Sequence, residues 1–188
     1  MPEIVCATGD LLNDDCSDRG GIRAAYWTER GNVDLDTMLG DPLLFEPTNQ
    51  TILNYAMVGG ATFNRLEFEP EDSFYEFTYT EDVDMYEILV TMLFRGKNVG
   101  RRNVLAQALL CCDLFIHIFD YLGNQRVIGT DYNGVVFNRM PRRLRIGRHL
   151  DASGQLSQSK ARDELDFTGR SFYAPMFAEV DEASIPLV

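Results

Sequence analysis

Histidine, cysteine and clustered carboxylates are the side chains that most often carry chemistry. This chain of 188 residues holds two histidines and four cysteines. A structural zinc site takes two short Cys or His pairs at spacings such as C-x2-4-C. Cys6 and Cys16 are ten residues apart and Cys111 and Cys112 are adjacent, so neither pair fits. The adjacent cysteines read as small buried residues at the end of a helix. A Cys6–Cys16 disulfide would need an oxidising compartment. The opening MPEIVCATGDLL has neither the basic region nor the apolar stretch of a signal peptide, so none is expected. His117 alternates with Phe115 and Phe119, which predicts a hydrogen-bonded core histidine. His149 has no evident partner.

The carboxylates are no more suggestive of a reaction. Glu81, Asp82 and Asp84 gather after an alternating run, with no base or nucleophile nearby in sequence, and read as a solvated turn. Asp34, Asp36 and Asp41 could start a calcium loop, but the twelfth position counted from Asp34 is Phe45, not the glutamate an EF-hand requires. No G-x-S-x-G, P-loop, H-E-x-x-H or G-x-G-x-x-G run is present. Neither catalysis nor a bound cofactor is expected.

Charge is the more informative feature. The net charge is −12, yet residues 1–98 carry 6 basic and 19 acidic side chains against 11 and 10 over residues 99–188. Arginine outnumbers lysine 15 to 2, and five arginines fall between Arg139 and Arg148. Basic residues on one strand can track phosphates. Arginine also forms bidentate pairs with carboxylates, and an acidic half beside a basic strip favours pairing between copies of the chain. Arg142, Arg143 and Arg145 are therefore inter-subunit candidates. Two solvated faces on a soluble monomer remain the plain alternative.

The elements that would position these residues are mostly strands. Residues 1–21 show no periodicity and read as an arm. A strand is expected over Ile22–Glu29. Residues 33–51 form a long loop whose Met38, Leu39, Leu43, Leu44 and Phe45 predict packing on something, with another subunit as the candidate. Gly59-Gly60 between two strand-like runs predicts a hairpin. In DSFYEFTYTED, Tyr75, Phe77 and Tyr79 share a core face, while Glu76, Thr78 and Thr80 share a polar one. Met85 to Phe94 fits a buried strand or a helix. Val104, Leu105, Ala108, Leu109 and Cys112 predict a helix over residues 99–112. Two hairpins follow, with turns at Gly123-Asn124 and Asn133-Gly134. An arginine strand and a closing strand complete the chain. In that last strand, Leu165 and Phe167 alternate with Asp166 and Thr168, and a β-bulge at Gly169 would return Phe172 to the core face. No apolar run approaches the roughly 18 residues of a membrane span. The fold class expected is one mainly β domain over 1–188, a barrel or sandwich flanked by one helix.

Two groups of residues carry a family likeness: Asp120, Gly123, Ile128, Gly129 and Gly134 in a strand pair, and Gly147, Asp151, Gly154, Ala174 and Pro175 at the close. With this order of elements, the chain resembles the tail tube (major tail) proteins of tailed bacteriophages and the similar tube protein of type VI secretion. The resemblance implies β-barrels flanked by a helix, closing as homo-hexameric rings whose sheets join into one inner wall. Rings stack into a tube through arms and loops, here 1–21, 33–51 and a C-terminal tail at 178–188 reaching a neighbour. It also implies a virion tail protein made in the host cytoplasm. Its partners would be itself, a tape-measure protein in the lumen, and sheath or tail-terminator proteins. DNA would pass without specific binding, and Glu76, Thr78 and Thr80 would face the lumen. The rival readings are a head–tail connector, a tail terminator, a capsid-decorating protein or the tube of a contractile injection system. A monomeric ligand-binding β-barrel ranks last.

Overall fold

The computed structural model describes residues 21–66, 68, 73–95, 113–152 and 162–188. The arm expected over 1–21, apart from Gly21, and the helix expected over 99–112 lie outside these residues. Strand β1, Ile22–Glu29, has the bounds its aromatic and β-branched run predicts. Helix α1, Leu35–Gly40, precedes the short strands β2 (Phe45–Glu46), β3 (Thr51–Ile52) and β4 (Asn64–Leu66). β5 (Phe74–Thr80) and β6 (Met85–Arg95) form an antiparallel hairpin. β7 (Leu114–Asp120) and β8 (Gln125–Ile128) form another, and β9 (Asp131–Tyr132) and β10 (Phe137–Asn138) a small third one. β11 (Arg142–Ala152) pairs with β12 (Arg162–Ser171), and β13 (Met176–Ala178) follows.

The fold is mainly β, a sandwich of a seven-stranded sheet, ordered β2-β3-β13-β8-β7-β1-β4, and a four-stranded sheet, ordered β11-β12-β6-β5. Every residue of β7 is buried, so both faces of the larger sheet are covered. Leu114, Ile116 and Ile118 face the smaller sheet, where Ile88, Val90, Met92 and Phe94 of β6 and Leu165 and Phe167 of β12 complete one core. Phe115 and Phe119 face the other way, into a second core with Met38, Phe45, Tyr55, Phe63, Val180 and Ile185. The third layer is therefore α1, the loops around it and the C-terminal segment.

Four expectations change here. The long loop over 33–51 contains α1, which Asp34 caps by accepting from the Thr37 N–H at 3.0 Å and the Thr37 hydroxyl at 2.8 Å. Its Met38 and Phe45 fill the chain's own second core, and Leu39 and Leu44 pack partly against it, which leaves Leu43 exposed at 78%. Gly59 and Gly60 make no hairpin. They sit in a 3-10 turn with positive φ, β4 pairs with β1, and β3 pairs with β2 and β13.

The bulge expected at Gly169 is absent from β12. Thr168, Gly169, Arg170 and Ser171 continue in unbroken register with Leu89, Ile88, Glu87 and Tyr86, and Phe172 is 54% exposed. The register shifts lie on β11, between Arg142 and Arg145 and between Ile146 and Arg148. Gly169 lets that irregular strand approach: a Cβ there would sit 3.2 Å from Arg142 O and 3.4 Å from Leu144 Cα.

The C-terminal tail is not free to reach a neighbour. β13 lies between β3 and β8, with Arg126 over the Phe177 ring at 3.7 Å. Phe63 N–H donates to Pro186 O at 2.7 Å, and Glu182 accepts from Arg23 Nη2 and the Tyr26 hydroxyl. Burial of Val180 and Ile185 is worth about 1.5–3 kcal/mol each. Deleting residues 180–188 should therefore lower unfolding stability by about 3–6 kcal/mol in urea titrations. An unchanged midpoint would show that the segment contributes nothing to its own chain.

Candidate assembly surface

The inner face of the four-stranded sheet is apolar and its outer face is charged, as period-2 alternation requires. The pairings align three rows across the outer face. Phe74 of β5 aligns with Thr91, Asp166 and Arg148; Glu76 with Leu89, Thr168 and Arg145; and Thr78 with Glu87, Arg170 and Arg142. Glu76 and Thr78 are exposed and Thr80 is half-buried. Arg148 Nη1 lies 3.3 Å from Glu164 Oε1 and 3.6 Å from Asp166 Oδ2, which also accepts from the Thr91 hydroxyl through its other oxygen at 2.9 Å. Arg170 Nη2 reaches Glu87 Oε1 at 2.7 Å, and the Thr78 hydroxyl donates to Glu76 at 3.0 Å. Two open grooves of about 430 and 310 Å³ cross this face, and both are lined by both signs of charge.

The sheet's outermost strands differ in charge. β5 presents Glu76 and leads into the turn with Glu81, Asp82 and Asp84, while β11 presents exposed Arg142, Arg143 and Arg145. The Arg143 guanidinium stands 4.0 Å from Asp113 of its own chain, close to Arg139 at 3.8 Å from the same carboxylate. Glu76 and Arg145 therefore share a row but occupy opposite edges.

Compared with models of protein families, with curated proteins and with solved structures, the chain matches none. Among the described residues, no three of His, Cys, Asp and Glu are grouped as a metal would require.

His117 is a core residue of β7. Its Nδ1 accepts from the Tyr55 hydroxyl at 2.9 Å, and its Nε2–H donates to Gln125 Oε1 at 3.0 Å. The Val180 N–H, bonded to that same Gln125 oxygen at 3.0 Å, fixes the amide's orientation. This network needs the neutral imidazole, and burial pushes the pKa down to about 3. The folded value lies below the unfolded one. This contribution to stability is therefore present above pH 6.5 and is lost as pH falls toward 3, at up to about 1.4 kcal/mol per pH unit. NMR should show the His117 ring carbons unmoved between pH 8 and 5. A midpoint near 6 would contradict the assigned bonding.

Several structurally decisive polar residues carry no sequence signal of their own. Asp120 accepts from the Tyr75 hydroxyl at 3.0 Å and from the Asn124 N–H at 2.7 Å, closing the β7–β8 turn. It drew notice only through the family likeness. Asp131 and Ser171 are both buried and meet across 40 residues of chain, which no local pattern reveals.

Proposed function

We propose that the chain is a structural virion protein of the tail-tube kind, whose copies join edge to edge into hexameric rings that stack into a conduit for DNA. The observation that carries this reading is the pair of opposite edges on the four-stranded sheet. Its strands alternate in direction, so β5 runs antiparallel to β11. A second copy's β5 laid beside β11 would continue the antiparallel ladder, and Glu76 and its acidic turn would face Arg142 and Arg145. Such a contact uses two different surfaces, so it repeats head to tail and closes when the rotation allows. It also removes both edges from solvent.

The outer face would then line the conduit. Arg148 and Arg170 are engaged by Glu164, Asp166 and Glu87. Guanidiniums held by carboxylates are poor phosphate ligands, which suits passage of DNA without retention. Leu43 is the exposed member of the loop set suited to contacts between rings. Negative-stain images of concentrated purified protein should show rings or tubes that dissociate as salt is raised. Monodisperse monomers at every concentration would overturn the reading.

A further inference from the structure

The joint between β9 and the corner after β12 contains one hydrogen too few for an ionised carboxylate. Asp131 is 2% exposed and Ser171 is 3% exposed. One Asp131 oxygen, Oδ1, contacts Ser171 Oγ, and the other, Oδ2, accepts from the Phe172 N–H at 3.2 Å. The same serine oxygen lies 2.5 Å from Tyr173 O and accepts from the Tyr173 N–H at 3.2 Å. A hydroxyl has a single proton to donate. If Ser171 gives it to Tyr173 O, the contact with Asp131 needs a proton from the carboxyl. If it gives it to an Asp131 carboxylate, the Tyr173 carbonyl faces a bare oxygen. The carboxylic acid form alone supplies a hydrogen to every contact: Asp131 to Ser171, Ser171 to Tyr173 O, and both N–H groups to their acceptors.

We propose that Asp131 is held as a neutral carboxylic acid where exposed aspartates are already ionised, and that its proton latches the corner bearing exposed Phe172 and Tyr173 onto the β9–β10 hairpin. Burial raises this carboxyl, against the opposing pull of Ser171, the Phe172 N–H and Arg30. Arg30 is the cation facing it, bonded to Thr130 Oγ1 at 3.4 Å and itself set among Asp113, Arg139, Asp36 and Asp131. The folded value lies above the unfolded one, so the latch is fully stabilising below the unfolded value and weakens as pH rises through the folded value. Above it, Ser171 must give its single proton to the carboxylate, so Tyr173 O loses its donor and the corner is held less tightly. The latch thereby ties the presentation of two exposed aromatic rings to pH.

Carbon-13 NMR of the full chain, with the Asp131 carboxyl assigned by through-bond correlation, tests this directly. Asp131 should remain protonated at pH values where the exposed aspartates are already ionised. Titration of Asp131 with them, below pH 4, would overturn the proposal. Asp131→Asn supplies the second readout, because its amide donates to Ser171 and accepts from Phe172 without a proton to lose. Its thermal midpoint at pH 7 should lie within about 2 °C of the wild type or above it, and the midpoint should lose the decline with pH that the wild type shows. A clear fall in the Asp131→Asn midpoint at pH 7 would mean that the site needs the charge, as an ion pair with Arg30 would, and would also overturn the proposal.

Discussion

Replacing Arg142 and Arg145 together by glutamate is expected to leave a folded chain that no longer assembles. Both side chains are exposed on the outermost strand of the four-stranded sheet, where surface substitutions usually change stability by about 0.5 kcal/mol or less. In the proposed seam they face Glu76 and the turn with Glu81, Asp82 and Asp84 of the next copy. Reversal puts like charges together, which costs several kcal/mol per seam, or on the order of a thousandfold in the contact constant. Arg148 is left in place because it bridges Glu164 and Asp166 within its own chain. Sedimentation should find monomers at concentrations where the wild type is assembled, with circular dichroism unchanged. The reciprocal variant, Glu76→Arg with Thr78→Arg, should also be monomeric alone. A head-to-tail seam further requires that the two variants co-assemble when mixed, since each then offers the edge the other needs. Assembly of the arginine-reversed chain on its own would show that the contact lies elsewhere.

Gly129→Ala is expected to be the most damaging single substitution among the described glycines. Gly129 has φ +123°, and a Cβ there would stand 2.3 Å from Leu114 O and 2.8 Å from Phe115 Cα. Those are backbone atoms at the start of β7, the strand buried on both faces, and they cannot yield without moving the centre of the larger sheet. The clash adds to the conformational strain, so a loss above about 3 kcal/mol is expected, or roughly 10 °C in thermal midpoint. Gly134→Ala separates the two causes. Its φ is +91°, but nothing lies within 4 Å of the added carbon, so it should cost about 1–2 kcal/mol. Equal effects at the two positions would refute the close approach at Gly129.

These glycines also show what the sequence could and could not disclose. The likeness to tube proteins rested partly on Asp120, Gly123, Gly129 and Gly134. Gly123 and Gly134 have positive φ at hairpin turns, Asp120 bonds across the first turn, and Gly129 sits against β7. They answer the demands of two tight hairpins, and those demands are local, which is why they were legible. β1 was read from its aromatic and β-branched run, and β5 and both hairpins from alternation and turn residues, whereas the uniformly apolar run of β6 left strand and helix both open.

What failed was non-local. Gly169 interrupts a pattern, but one strand cannot reveal whether it or its partner carries the bulge. The irregularity proved to lie on β11, at Arg142–Arg145 and Ile146–Arg148. The apolar loop residues Met38 and Phe45 announced burial correctly but not whose core they would fill. The parallel pairing of β13 with β3 joins positions more than a hundred residues apart, leaving Gly59-Gly60 looking like a hairpin turn that it is not. Asp34 caps α1 through Thr37, yet α1 is so short that its periodicity is weak, and residues 33–51 read as a loop. At the candidate surface, the outward row of Glu76, Thr78 and Thr80 was legible from β5 alone. The matching positions of Glu87, Asp166 and Arg145 needed the register of three more strands.

Electron cryomicroscopy of the purified protein in its assembled state tests the central claim most directly. Closed rings are expected in which β5 of one copy hydrogen-bonds antiparallel to β11 of the next, with Glu76 beside Arg142 or Arg145 and the face carrying Thr78, Glu87 and Asp166 turned toward the central channel. Rings joined through the seven-stranded sheet, or with that charged face turned outward, would contradict it.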